Sequence, residues 1–296
     1  MYRFIIILTI LALALTACGG QSASPAGTSA PVILTSTSFL ADITRNIAGD
    51  RQTVATLLPL GADPHSYQPT PQDVTNITKS KVLIINGADY EHFLEPILEN
   101  AGGEREVVDA SAGITSREEA GSVDPHIWLD PNNVIVYVEN IREALTHFDP
   151  EGAAVYQANA ETYVTELKSL DAWIVEQVNQ IPAEKRLLVT NHEAFGYFAA
   201  RYGFTIAGTV IESFSSDASP SAQQMAALID QIKASGAPAI FLDAADNTTF
   251  AQQIADETGV RVVTDLHLES LTDGAPAATY IDMMKNNVTQ IVNALK

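Results

Sequence analysis

The stretch Gly61-Ala62-Asp63-Pro64-His65-Ser66-Tyr67-Gln68-Pro69-Thr70-Pro71 places one histidine in a loop that contains three prolines. Each proline fixes its own φ and keeps the residue before it out of the helical conformation. Such a loop holds the imidazole of His65 in one place, which a ligand or catalytic histidine needs and a surface histidine does not. The stretch therefore predicts a functional site around His65.

Two further histidines lie in comparable positions. His126 lies in Asp124-Pro125-His126-Ile127-Trp128-Leu129-Asp130-Pro131, which repeats the Asp-Pro-His tripeptide, and His192 follows the run Leu187-Leu188-Val189-Thr190. Each histidine taken singly is equally well explained as a structural residue bonded to backbone. Three together favour a metal site, because neutral imidazole is the commonest protein ligand for Zn²⁺.

A fourth ligand is expected to be a carboxylate, since the single cysteine, Cys18, lies in the N-terminal segment. Glu269 follows the strand-like run 260–268 and is placed like the three histidines. His267 is its rival, because alternation along a strand would turn both side chains to the same face, and both could contribute. His92 and His147 have simpler explanations, as a solvated side chain and as a cation near a helix C-terminus.

Short apolar runs alternate with segments of helical periodicity in both halves of the chain. The predicted strands are 32–35, 54–58, 82–85 and 106–108 in the first half, and 186–190, 205–211, 239–242 and 260–264 in the second. This alternation predicts an α/β fold of two lobes, each with a mostly parallel sheet flanked by helices. Ligands of such folds bind beyond the carboxyl ends of the strands, where His65 is expected.

Residues 150–181 carry no strand signal and are followed by Pro182. Apolar and aromatic residues recur there at a nearly helical period, which predicts one rigid helix of about thirty residues and about 45 Å. We therefore expect an N-terminal α/β lobe at 32–149, a long connecting helix at 150–182 and a C-terminal α/β lobe at 183–296.

The N-terminal segment is typical of a secreted, lipid-anchored protein. The apolar run 4–15 is too short to span a bilayer, and Leu15-Thr16-Ala17-Cys18 resembles a bacterial lipoprotein signal. We expect a signal peptide at 1–17, lipid attachment at Cys18 and a flexible tether at 18–31, although an ordinary secretory signal with an incidental cysteine is the alternative. The protein would be extracytoplasmic and would contact the cell membrane through its lipid only.

The formal net charge of −20 argues against nucleic acid and anionic lipid surfaces as partners. An acidic chain favours cations, although acidity also serves solubility.

The chain resembles the zinc/manganese solute-binding lipoproteins of ABC importers, some of which were first described as adhesins. The resemblance rests on the two proline-rich histidine stretches and on Thr190-Asn191-His192-Glu193-Ala194-Phe195-Gly196-Tyr197-Phe198. It implies a four-ligand site between two lobes, without catalysis. His65 and His126 match the first two family ligands, and His192 matches a third that is His in zinc members and often Glu in manganese members. Glu269 takes the place where the family usually has Asp.

Three imidazoles and one carboxylate suit four-coordinate Zn²⁺, whereas Mn²⁺ prefers more oxygen ligands. The predicted function is therefore capture of Zn²⁺ in the inter-lobe cleft and delivery to an ABC permease and ATPase complex, by a protein that acts as a monomer. Mn²⁺ is the alternative cargo.

Protons compete for the imidazoles, so metal affinity is expected to fall below about pH 6.5. Asp63 and Asp124 are expected to orient their loops rather than to bind the metal.

A zinc-dependent hydrolase is the rival from another class, with three histidines, an open fourth position and Glu193 as general base. The absence of a His-Glu-x-x-His motif argues against it. A surface adhesion protein with a structural metal is a third interpretation. Many zinc members also carry a histidine-rich loop before the second ligand, but residues 110–123 contain no histidine here.

Overall fold

Four short parallel strands form the first sheet. In the computed structural model, which describes residues 32–98, 101–119 and 121–296, they are β1 (Ile33–Thr35), β2 (Val54–Thr56), β3 (Val82–Ile85) and β4 (Glu106–Asp109). Their spatial order is β2-β1-β3-β4, and every neighbouring pair is parallel. β1 is buried throughout, as its continuous apolar run predicts for a central strand.

The helices of this half are α1 (Ser38–Ala48), α2 (Pro71–Lys79), α3 (Glu95–Leu98) and α4 (Pro131–Phe148), and a small antiparallel pair is formed by β5 (Glu118–Glu119) and β6 (Ser122–Val123). Side-chain caps fix where three of these helices begin. Thr37 accepts from the backbone of Leu40, Thr70 forms a capping box with Asp73, and Asp130 accepts from the backbone of Asn132. Such caps satisfy amide groups that the first helical turn leaves without partners.

The second sheet repeats the arrangement of the first. Its parallel strands are β7 (Leu187–Thr190), β8 (Thr205–Thr209), β9 (Ala239–Asp243) and β10 (Arg261–Leu266), in the order β10-β9-β7-β8. Its helices are α6 (Gly196–Tyr202), α7 (Ala222–Ser235), α8 (Thr249–Thr258) and α9 (Tyr280–Leu295). The prediction of two mostly parallel sheets flanked by helices is confirmed.

A long helix, α5 (Ala153–Val178), joins the two halves after a 3-10 turn at Pro150–Gly152. Its 26 residues give a length of about 39 Å, somewhat shorter than the sequence predicts. One stripe of the helix is buried, at Tyr156, Ala160, Tyr163, Leu167, Leu170, Ile174 and Val178. This stripe packs against α1 and α4 from the first half and α9 from the second.

The largest apolar cluster runs through both halves of the molecule. It includes Ile33 and Trp128 from the first half, Leu167 from α5, and Phe198 and Tyr280 from the second half. A continuous core of this kind opposes wide separation of the two sheets.

The sequence-predicted signal peptide, Cys18 and the tether lie outside the described residues. Among the residues that are described, none of the helices combines the length and the apolar character needed to cross a bilayer.

Candidate metal centre

His65 lies in the proline-rich loop between β2 and α2, as the sequence predicts. Its backbone N–H donates to Asp63 Oδ1 at 2.8 Å, and Asp63 Oδ2 accepts from Ser216 Oγ of the second half at 2.7 Å. Only 7% of the His65 side chain is exposed. Asp63 therefore orients the loop through backbone and side-chain hydrogen bonds.

His126 is fully buried at the start of the 3-10 turn Ile127–Leu129. Asp124 Oδ1 accepts the backbone N–H of His126 at 3.0 Å and lies 3.0 Å from its Nδ1. Burial on its own lowers the pKa of His126, but hydrogen bonds to Asp124 and Glu269 raise that pKa to about 9. An Nδ1–H bound to Asp124 leaves the Nε2 lone pair available to a metal ion.

His192 lies in the turn after β7 and is 1% exposed. Thr190 Oγ1 donates to its backbone carbonyl at 2.9 Å, and the neighbouring Asn191 N–H donates to Phe241 O of β9 at 3.2 Å. Its Nδ1 is buried without a hydrogen-bond partner among the described residues. The second sheet therefore fixes the backbone that carries this imidazole.

Glu269 supplies the carboxylate that meets all three imidazoles. Its Oε1 lies 2.8 Å from His65 Nε2, 3.3 Å from His126 Nε2 and 3.4 Å from His192 Nε2. Burial on its own raises the pKa of Glu269, but the charge of His65 and hydrogen bonds from the three histidines hold it well below its usual range.

The prediction that His267 and Glu269 share a strand face is wrong. β10 ends at Leu266 after a shift in its register with β9, so residues 267–270 form a loop in which strand alternation no longer applies. The His267 backbone N–H donates to Asn287 Oδ1 at 2.8 Å. Glu269 belongs to the cluster of four ligand atoms and His267 does not.

The four side chains come together at one point between the halves. One ligand atom from each of His65, His126, His192 and Glu269 lies within 4.8 Å of the other three. Within the described parts of the chain, no other group of three or more His, Cys, Asp or Glu side chains meets this condition. His92 and His147 lie outside the group, and His147 instead pairs with Glu106 at an exposed position, 3.0 Å from Nδ1 to Oε2.

Aromatic rings enclose the buried side of this cluster. The Trp128 ring lies 5.4 Å from the His126 ring, and the Tyr90 ring meets the His65 ring edge-on at 5.8 Å, between centroids. Sequence reasoning missed this shell, although Trp128 lies within the second histidine stretch. Another buried carboxylate missed from the sequence is Asp243, which accepts the backbone N–H of Leu268, next to Glu269.

The other side of the cluster opens to a cavity of about 460 Å³ beside His65. Its lining includes Asp89, His92, Glu193 and Glu212. Because carboxylates dominate the charged part of this lining, it favours the approach of a cation over that of an anion.

The chain matches known proteins over nearly its whole length. A family model described as zinc-uptake complex component A, periplasmic, matches residues 33–294. The manganese-binding lipoprotein MntA of Halalkalibacterium halodurans is 36% identical over 296 residues, which cover 99% of this chain and 98% of the relative.

Solved structures with the same fold carry different metals in their descriptions. The Mn-bound periplasmic metal binding protein from Candidatus Liberibacter asiaticus has a TM-score of 0.80 and 31% identity, covering 90% of this chain and 100% of that chain. The periplasmic zinc binding protein TroA from Treponema pallidum has a TM-score of 0.83 and 28% identity, covering 90% and 99%.

These matches exclude the hydrolase interpretation, because the family consists of transport proteins. The chain belongs to the zinc-uptake complex component A family and is a substrate-binding protein of a metal ABC importer, not an enzyme.

Proposed function

We propose that the protein captures one Zn²⁺ ion with His65, His126, His192 and Glu269, and hands it to a membrane permease driven by an ATPase. The observation that supports this most directly is the meeting of four ligand atoms within 4.8 Å, on four loops from both halves of the chain. A metal held from both halves favours their closed arrangement by its differential affinity for that arrangement.

The spacing of the ligand atoms suits a tetrahedral ion. Atoms at about 2.0–2.1 Å from a central Zn²⁺ would lie about 3.3–3.4 Å from one another in a regular tetrahedron. Glu269 Oε1 lies 3.3 Å and 3.4 Å from the Nε2 atoms of His126 and His192, which are themselves 3.3 Å apart. The shorter 2.8 Å distance from His65 Nε2 to Glu269 Oε1 would have to lengthen slightly.

The nitrogen-rich ligand set also favours Zn²⁺ on chemical grounds. For a given site of this kind, divalent zinc binds more tightly than divalent manganese in the usual affinity order. Deprotonated Glu269, with its strongly lowered pKa, would leave the bound site with one net positive charge, which the nearby carboxylates offset.

Mn²⁺ is the second candidate cargo, and the relatives favour it. The relative from H. halodurans is named for manganese, and the solved structure from Candidatus L. asiaticus is described as Mn-bound. Glu269 offers a second carboxylate oxygen, and a bidentate carboxylate would raise the coordination number toward the value that Mn²⁺ prefers.

A competition titration distinguishes these cargoes. Metal-free protein is titrated with Zn²⁺ and with Mn²⁺ against a chromogenic chelator, and then with both ions at equal concentration. We expect one Zn²⁺ per chain and displacement of Mn²⁺ by Zn²⁺. Retention of Mn²⁺ against equal Zn²⁺ would make manganese the cargo, and no binding of either ion would overturn the proposal.

Replacing a ligand tests which residues hold the ion. His192→Ala and Glu269→Ala are each expected to weaken Zn²⁺ binding by more than about 100-fold, beyond the usual cost of an outer-shell change. His147→Ala is the matched control, since that imidazole is 80% exposed. Unchanged affinity in Glu269→Ala would exclude its carboxylate as a direct ligand.

We also propose that residues 1–17 are removed as a signal peptide and that lipid on Cys18, followed by a tether to residue 31, anchors the protein outside the cytoplasm. The lipoprotein names of relatives support this. The lobes at 32–149 and 183–296, joined by 150–182, would then act as one monomeric carrier.

A further inference from the structure

The loop that carries Glu269 is attached to the first half of the molecule on both sides of the carboxylate. Trp128 Nε1 donates to Leu268 O at 2.7 Å. On the other side, the Leu271 N–H donates to Ser38 Oγ, at the start of α1, at 2.9 Å. The sequence assigns this loop to the C-terminal lobe, yet these bonds join it to the opposite one.

The hydroxyl of Ser270 lies at the centre of these contacts and is 7% exposed as a residue. It accepts the Gly61 N–H at 2.7 Å, lies 3.4 Å from Ser38 Oγ and donates to Leu271 O at 3.1 Å. Gly61 has φ +73°, a left-handed conformation that glycine adopts without strain. Gly61 also begins the loop that carries His65.

We propose that Ser270 is a positioning residue for the metal site, which ties the Glu269 loop to the His65 loop and to α1 and thereby slows release of the ion. This inference rests on the proposed function. On its other flank the Glu269 loop is held by the second sheet, because Asp243 accepts the Leu268 N–H. The Glu269 loop is therefore hydrogen-bonded to both halves, and Ser270 bonds it to Gly61, at the start of the His65 loop.

Loss of the hydroxyl would remove the bond that joins the loop to Gly61, while the Leu271 N–H would still donate to Ser38 Oγ. In Ser270→Ala the Gly61 N–H loses its hydrogen-bond acceptor, and Ser38 Oγ loses its contact with the Ser270 hydroxyl. The position of the Glu269 carboxylate is then less tightly fixed relative to His65. Groups that orient a metal ligand typically affect affinity by about 10–100-fold when removed. We expect Zn²⁺ to dissociate about 10-fold faster from Ser270→Ala than from the unchanged protein.

The test measures Zn²⁺ dissociation from the loaded protein by stopped flow with excess chelator. Ser111→Ala is the matched control, because Ser111 has the same 7% exposure and, among the described residues, its hydroxyl bonds only to Asp109 Oδ1, at 2.8 Å. The melting temperature of each metal-free variant is measured in parallel. If Ser270 had a purely structural role, Ser270→Ala would melt at a lower temperature but would release Zn²⁺ at the same rate as Ser111→Ala.

Ser38→Ala removes the other hydroxyl of the same network, and it is the alternative test variant if Ser270→Ala folds poorly. It is expected to accelerate Zn²⁺ dissociation as well. Because the two hydroxyls share one network, the double variant should increase the dissociation rate by less than the product of the two single increases. A Ser270→Ala or Ser38→Ala rate within twofold of Ser111→Ala would overturn the inference while leaving the proposed function intact. Failure of the unchanged protein to bind Zn²⁺ would overturn both.

Discussion

Asp124 sets the chemistry of His126 through a single oxygen. That oxygen lies 3.0 Å from both the backbone nitrogen and Nδ1 of His126, and Asp124 is 2% exposed. The carboxylate thus selects the tautomer with Nε2 free and makes that nitrogen a stronger donor to a metal. The sequence-based expectation that Asp124 orients its loop agrees with these contacts.

Asp124→Asn is expected to weaken Zn²⁺ binding by about 10-fold, because the amide keeps a hydrogen-bond acceptor but removes the negative charge behind the imidazole. Competition titration measures the affinity, and NMR titration of the metal-free protein should show a lower pKa for His126. Asp50→Asn, at an exposed position, is the control. An Asp124→Asn affinity equal to that of the control would show that the carboxylate charge is irrelevant to binding.

The convergence of the candidate ligands could be predicted because each histidine follows a predicted strand or lies in a proline-fixed loop. Carboxyl ends of parallel strands meet at one edge, and side chains just beyond them come together. Glu269 could be predicted as a member of the cluster because it follows the strand-like run 260–268. The argument from strand alternation, which made His267 its rival, fails beyond Leu266. The Ser38–Ser270 contact spans 232 positions, and no local pattern in either segment announces it.

Among the elements, α5 shows most clearly how a sequence period becomes packing. Its buried stripe advances by three or four residues at a time, which keeps one face toward α1, α4 and α9. The helix could be predicted because this period persists over several turns. The end of β10 could not, because the register shift after Val263 depends on pairing with β9 rather than on local composition.

Leu167→Ala is expected to lower the free energy of unfolding by about 2–5 kcal/mol, since the Leu167 side chain lies at 0% exposure and its removal leaves a cavity. Val175→Ala on the same helix is the control, because Val175 is 40% exposed. Urea denaturation monitored by circular dichroism measures both. Similar losses in the two variants would mean that α5 is not packed as described.

At the scale of the whole molecule, buried titratable groups make stability depend on pH. Burial raises the pKa of Glu91 and of Asp243 to about 7. In His126, hydrogen bonds to Asp124 and Glu269 outweigh burial and raise the pKa to about 9. All three pKa values lie above those of an unfolded chain, about 4 for the carboxyls and about 6.5 for the imidazole.

At these three groups the folded, metal-free protein therefore holds more protons than the unfolded chain between about pH 4 and 9. Its free energy of unfolding is expected to fall as pH rises through this window, through the carboxyls up to about pH 7 and through His126 between about pH 6.5 and 9. Urea midpoints at about pH 5.5 and 8.5 measure the effect. Glu91→Gln should reduce the pH dependence of the urea midpoint below about pH 7. A higher urea midpoint at about pH 8.5 than at about pH 5.5 would contradict the raised pKa values of these groups.

His126 also extends the pH range over which protons compete with metal. The sequence alone suggests that affinity falls below about pH 6.5, the usual imidazole value. With a pKa of about 9 in the metal-free protein, His126 would still bind a proton at neutral pH, so Zn²⁺ affinity should continue to rise between about pH 7 and 9. This correction follows from the burial and partners of one imidazole, which composition does not reveal.

The apolar core that runs from Ile33 and Trp128 through α5 to Tyr280 means that the molecule cannot be divided at its apparent midpoint. Cutting the chain on either side of α5 would expose a large part of this apolar cluster on each of the two fragments. Neither fragment should persist alone in solution, whereas the two produced together should reassociate. Calorimetry of the intact chain should accordingly record one heat-absorption peak, in spite of the duplicated sheets.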